Sequence, residues 1–248
     1  MLHGFSTIDI IFIFSGAFII GLAKAGLRGI DMLNVTLMAL VFGSKLSTGI
    51  VLPLLCAGDI AAVIYYNRHA QWNHFWKLLP WMALGILIGV FWGKDMNEIV
   101  FRKIMAVIIL ITVISMLVME LRRSMKVPSH PLFAASTGIV AGITTMLGNL
   151  AGAFSNLYFL AMRVAKNNFI GTAAWLFLVI NLFKLPFQVI YWKNINTDTL
   201  KTDLILLPAV AIGFFLGVII VKRIHEEQYR KVVIVLTLIG AVVIFLKK

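Results

Sequence analysis

Charge is what this sequence has least of. Asp, Glu, Lys and Arg make up 13% of its 248 residues, and there are ten acids against 22 basic side chains. Soluble domains carry about 25% charged residues and roughly 45–50% apolar ones. The 61% hydrophobic content here excludes an ordinary soluble domain. One cysteine, Cys56 in an apolar run, excludes a disulfide framework and a Cys-based metal site. His3, His69, His74, His130 and His225 are scattered at no metal-ligand spacing, so neither a metal nor another cofactor is expected. Paired catalytic carboxylates and a convincing nucleophile–base pair are also missing, which argues against an enzyme. No basic cluster precedes the first apolar run and no small-residue cleavage site follows it, so no cleavable signal peptide is expected.

What is present is apolar sequence in several separate runs, the mark of an all-α polytopic membrane protein. The formal net charge of +12 would suggest nucleic acid in a soluble chain. Here most of it lies in short loops, as in Arg122-Arg123-Ser124-Met125-Lys126, Lys222-Arg223 and Arg230-Lys231. That placement suits topology signals and lipid headgroups, so the bilayer is the expected partner and nucleic acid is not. Trp72, Trp76, Trp81, Trp92 and Trp192 lie near span ends and fit interfacial belts.

The first half contains apolar runs Ile8 to Ala23, Met32 to Phe42, Leu46 to Tyr66, Leu78 to Trp92 and Ile104 to Met119. The second of these is about half the ~20 residues that a span needs. Between it and the first run lies Gly21-Leu22-Ala23-Lys24-Ala25-Gly26-Leu27-Arg28-Gly29-Ile30-Asp31. Each glycine weakens a helix by ~1 kcal/mol relative to Ala, and a charge at bilayer depth costs ~2.5–3.5 kcal/mol on insertion scales. Their coincidence predicts a helix break, and irregular backbone survives there only inside protein or beside water. This stretch reads as the floor of a binding site.

The second half repeats the first. At a spacing of 122, Gly16, Gly26, Asn34, Ala39 and Gly49 match Gly138, Gly148, Asn156, Ala161 and Gly171. From Pro80 the spacing is 128, and Pro80, Gly85, Gly89 and Arg102-Lys103 match Pro208, Gly213, Gly217 and Arg230-Lys231. A six-residue insertion near Lys193 to Asp203 explains the change. The glycine break recurs as Gly142 to Gly152, and paired interruptions of this kind point to a secondary transporter's site. The expected architecture is two inverted repeats, residues 1–126 and 127–248, within one membrane domain. Each has a short or re-entrant helix pair and about three full spans. A continuous bent helix in place of each break would instead give four spans per half and a parallel duplication. Lys and Arg in alternate loops slightly favour a cytoplasmic side carrying Arg68, Lys77, Arg122, Arg163 and Lys222, with both termini outside.

Lys24 and Arg28 are four apart, so helical continuation places both on one face. Their second-half counterparts are Met146 and Leu150, beside Thr144, Thr145 and Asn149. Charge on one half only suits a single asymmetric anion, and Arg offers paired planar donors to an oxyanion edge. Alternatively Arg28 pairs with Asp31 or Asp59, and Lys24 snorkels to the surface. The free N–H groups of the short helices form an anion site even without side chains. Gly26, Gly29, Gly148 and Gly152 would shape it, and Asn34 and Asn156 either donate to the anion or bond between helices. Asp59, deep in a span, matches Asn181, and Lys184 is three residues further on the same face. Asp59 is expected to bridge to Lys184 or Arg28, or to act as a protonatable coupling site. Lys45 and Lys166 follow the short helices, whose negative ends they would complement.

The glycine break with its second-half copy, together with Phe169-Ile170-Gly171-Thr172-Ala173-Ala174-Trp175 and Asn181-Leu182-Phe183-Lys184-Leu185-Pro186, resembles the TauE/SafE family of sulfite exporters. The resemblance covers nearly the whole chain, and its most specific part is the GT…N-x-x-K-x-P stretch. It implies a carrier in the bacterial inner membrane for small sulfur-containing anions, sulfite or organosulfonates, coupled to an ion gradient, with the proton as the expected ion. Many relatives have more glycine in the first break, where Lys24, Leu27 and Arg28 stand here, which puts the particular substrate in question. The competing expectation is an anion channel, or a permease for another small organic anion such as a carboxylate.

Overall fold

A computed structural model describes residues 5–94, 96, 97, 99, 100, 103, 104, 107, 110, 111, 114, 118 and 130–246. The first helix, α1 (Thr7–Lys24), starts from a reciprocal cap. The Ser6 hydroxyl accepts from the Asp9 N–H at 3.2 Å, and the Asp9 carboxylate accepts from the Ser6 N–H at 3.0 Å. Gly26 and Gly29 then adopt φ of 120° and 100°, where an L side chain is strained, and the helix stops. Chain direction reverses, and α2 (Asp31–Phe42) runs back along α1. Phe5 and Phe42 meet at a ring separation of 5.5 Å, so the outer ends of both helices share one level. At 12 residues, about 18 Å, α2 falls short of a ~30 Å hydrocarbon core.

Two long helices follow, α3 (Ser44–Tyr66) and α4 (Trp72–Lys94). Most of the expected segment Ile104 to Met119 lies outside the described residues, as do Arg122, Arg123, Lys126, Pro128, Ser129 and the repeat boundary at 126/127. The hairpin recurs as α5 (Pro131–Gly148) and α6 (Ala151–Ala161). Here Asn149 closes α5 in the left-handed conformation at φ 56°. Phe133 stacks on Tyr158 at 6.0 Å, so α6 also runs back along its partner. The chain continues as α7 (Lys166–Pro186), a π turn (Phe187–Tyr191), α8 (Thr197–Arg223) and α9 (Glu226–Leu246).

Among the described residues, six helices are long and apolar enough to cross a membrane and no strand occurs. The protein is therefore an all-α, multi-pass membrane protein. Its tightest seams are built on glycine. Along α1 and α8, a Cβ on Gly21 would collide with the Val210 carbonyl, and one on Gly213 with that of Phe18. Along α4 and α5, Gly85 and Gly142 meet backbone in the same way. Association inside a bilayer draws on such close approach because lipid tails are as apolar as leucine. In the sequence spacing α1 matches α5 and α4 matches α8, so the two seams are counterparts. The antiparallel pair α3 and α7 crosses between them, carrying Asp59 against Asn181.

The second half's extra residues sit where the spacing changes. Two residues separate His69 from α4, whereas five separate Tyr191 from α8, and α8 starts three residues earlier relative to its counterpart. Lys45 and Lys166 do meet negative helix ends, though not those of the short helices. Lys45 donates to the Lys94 carbonyl closing α4, and Lys166 to the Ile224 carbonyl closing α8 at 2.6 Å. Trp72, Trp76, Trp81 and Trp92 are exposed on α4, as interfacial residues should be. Trp192 instead is buried and donates to the Val90 carbonyl at 3.1 Å.

Candidate functional site

Both helix breaks open onto one internal cavity of about 30 Å³. A cavity needs ~10–15 Å³ to hold a water, so this one has room for a small anion. From the first half its wall contains Lys24, Arg28, Asp31 and Asn34. The second half supplies Thr145, Asn149, Ala151 and Gly152, with Phe177 and Asn181 added by α7. The N-termini of α2 and α6 meet here, because a Cβ on Gly152 would strike the Asp31 carboxylate. Asp31 turns one oxygen back to accept the Gly29 N–H at 2.9 Å.

Arg28 is 4% exposed, and its Nε and Nη2 have no hydrogen-bond acceptor. Its guanidinium carbon lies 5.1 Å from the Phe177 ring centre, a cation–π contact that supports the charge without consuming its N–H groups. A buried donor left unmade costs ~1–3 kcal/mol, more when charged. Neither expected carboxylate takes up the guanidinium: among the described residues no ion pair joins Arg28 to Asp31 or Asp59. Asn34 Oδ1 is also buried without a partner.

Lys24 does not reach the surface. Its ammonium lies 2.6 Å from Asp59 Oδ1 and 5.1 Å from the Phe177 ring centre. The second Asp59 oxygen accepts from Asn181 Nδ2 at 2.7 Å. The carboxylate thus bridges to Lys24 rather than directly to Lys184 or Arg28. Lys184, fully buried, donates to Asn149 Oδ1 at 2.6 Å, Thr145 Oγ1 at 3.0 Å and Asn181 Oδ1 at 3.3 Å. Lys24, Asp59, Asn181, Lys184 and Asn149 therefore form one continuous buried network tying both breaks to α3 and α7.

Of the residues singled out from sequence, Lys24, Arg28, Asn34, Asn149, Gly152 and Asn181 line the cavity. Asp59 and Lys184 hold lining residues from behind. Gly26, Gly29 and Gly148 shape the breaks without facing the cavity, and Asn156 is buried away from its wall with both amide atoms unpartnered. Sequence reasoning did not pick out Phe177, whose ring faces both cations. The available signal was its place four residues before Asn181, on the same face of α7. Asp31 was read only as a partner for Arg28, yet it lines the cavity itself.

Three or more His, Cys, Asp or Glu that could hold a metal do not gather anywhere among the described residues. Compared with known proteins, the chain matches the family model "Sulfite exporter TauE/SafE" over residues 13–244. No curated protein and no solved structure matches it. The chain belongs to the TauE/SafE sulfite exporter family, whose members are membrane transporters and not enzymes.

Proposed function

Taking that membership as premise, we propose that this protein is a secondary transporter for a small sulfur-containing anion, sulfite or an organosulfonate. The anion binds between the two helix breaks at the middle of a bacterial inner membrane, and a proton gradient drives its movement. The observation that carries this reading is Arg28, a buried guanidinium with donors free, facing a cavity where two helix N-termini converge. Asn149 and the first N–H groups of α6 complete the anion's shell, while in α2 the Met32 and Leu33 N–H groups already donate to the Gly29 and Ile30 carbonyls. Lys24, held by Asp59, sets the field and leaves Arg28 to make the directional bonds.

The two halves, residues 1–126 and 127–248, are proposed to be inverted repeats. Both hairpins return to their starting level, which leaves each half an odd number of crossings if the segment around 104–119 and α9 also span. Opposed hairpins would bring their tips together at the membrane's midplane, as carriers require for alternating access.

Purified protein in liposomes should take up labelled sulfite with saturation, and an imposed pH gradient should change the rate. Flux that rises linearly with concentration and ignores the gradient would make the protein a channel. Absence of flux for sulfite and simple sulfonates would remove the substrate assignment.

A further inference from the structure

The polar groups of the cavity wall continue outward along one side of the bundle. Asn149, whose Oδ1 accepts from Lys184, donates from Nδ2 to the Thr48 carbonyl at 3.0 Å. Gln188 Nε2 donates to the Thr48 hydroxyl at 3.3 Å, and Asn194 Nδ2 donates to Gln188 Oε1 at 3.1 Å. Thr48, Gln188 and Asn194 are all buried, whereas Lys193 and Asn196 beside the last are exposed. An unbroken column of hydroxyl and amide groups thus links the cavity to the end of the bundle at which α3 and α8 begin.

The internal repeat supplies a comparison. At the spacing of 122, Asn149, Thr48 and Gln188 correspond to Leu27, Ile170 and Tyr66. Those three are buried too, but two are aliphatic and the Tyr66 hydroxyl donates to the Ala25 carbonyl at 2.9 Å. Packing at these positions therefore does not require the amides, and hydrogen bonds between membrane helices add little net stability. The π turn Phe187–Tyr191 brings Gln188, alone of its five residues, into the interior, and such turns recur at functional sites. Contacts of 3.1 and 3.3 Å lie at the long end for hydrogen bonds, and the groups they join are ones that water satisfies once they part. At the outer end, Asn194 Nδ2 also donates to the Lys45 carbonyl at 3.3 Å. Lys45 donates to the Lys94 carbonyl, and the Lys94 ammonium lies 3.9 Å from the Tyr191 ring centre. With Lys193, three cations stand where an anion would arrive, and clustered charge of one sign raises the local concentration of its counter-ion.

We propose that Thr48, Gln188 and Asn194 are the gate on the anion's route between the cavity and this end of the bundle. The gate is closed in this structure and becomes hydrated when α3 and the π turn part. This rests on the carrier reading above and adds the route to it.

Two measurements test the gate. Thr48→Val keeps the shape and removes the hydroxyl, and Gln188→Met keeps the length and removes the amide. Each should lower the maximal rate of sulfite uptake by about tenfold or more while calorimetric sulfite affinity changes by less than about twofold. Thr48→Ser should keep the rate. The second measurement is thiol accessibility in a Cys56→Ala background, Cys56 being packed on Leu52 and Ile195 away from the column. Thr48→Cys in oriented membrane vesicles is treated with sulfonatoethyl methanethiosulfonate, an impermeant anionic reagent, and modification is read by mass. Labelling from one face alone is expected, although Thr48 is 2% exposed in the closed structure. No label from either face, in protein that carries sulfite, would overturn the gate, and label from both faces would replace it with an open pore. Unchanged uptake in Thr48→Val and Gln188→Met, with lowered melting temperatures, would reduce the column to packing. Absence of sulfite uptake in the unaltered protein would remove the carrier reading itself, and the gate with it. Melting curves identify any variant that does not fold, and labelling of Thr48→Cys decides the matter without it.

Discussion

Arg28 and Lys24 are both buried cations over one Phe177 ring, yet their situations differ. Lys24 has its carboxylate and Arg28 has none. A hydrogen bond to a charged group contributes ~1.5–3 kcal/mol, so Arg28→Ala should weaken sulfite or sulfonate binding by about one to two powers of ten. Arg28→Lys should recover only part, because an ammonium lacks paired planar donors. Calorimetry on folded variants checks both, and unchanged affinity in Arg28→Ala would return the site to the backbone. For Lys24 the expected loss is in stability. Lys24→Met leaves the buried Asp59 carboxylate without its cation and with Asn181 alone donating to it, at ~3–5 kcal/mol for breaking a buried pair. Lys24→Met with Asp59→Leu should melt well above the single variant. Equal melting temperatures for the single and double variants would show that the pair does not couple.

At the scale of the helix, glycine divides into two uses. Gly213 sits where α8 crosses α1 backbone to backbone, so Gly213→Leu should lower the melting temperature sharply, as overpacking by ~1–3 kcal/mol or more would. Gly16→Ala meets the flexible end of Met38 at 3.0 Å and should be close to neutral. Similar melting of the two variants would dissociate the seam from stability. The breaks were legible in the sequence because glycine and charge interrupt aliphatic runs at the same place in both halves. The short helix after each break was legible by length alone. The pairing of Asp59 was not: Asn181 and Lys184 share a face of α7, but Asn181 stands between Lys184 and the carboxylate. Which cation reaches Asp59 depends on α1 lying against α3 at Gly58, where the stem of Lys24 passes. Trp192 escaped for a similar reason. Its position beyond α7 suggested an interface, but the π turn at Phe187–Tyr191 carries the chain back over α4.

At the scale of the whole molecule, the two halves exchange their partners. The first helix of each half packs along a long helix of the other, and α3 and α7 cross between. A cavity assembled this way belongs to neither half. The central claim is that the transported anion sits between the breaks. A difference map between structures of the protein with and without sulfite tests this most directly. The account predicts new density within hydrogen-bond reach of Arg28 and Asn149, between the N-termini of α2 and α6. Sulfite density confined to the membrane-surface loops, with the cavity unchanged, would contradict it.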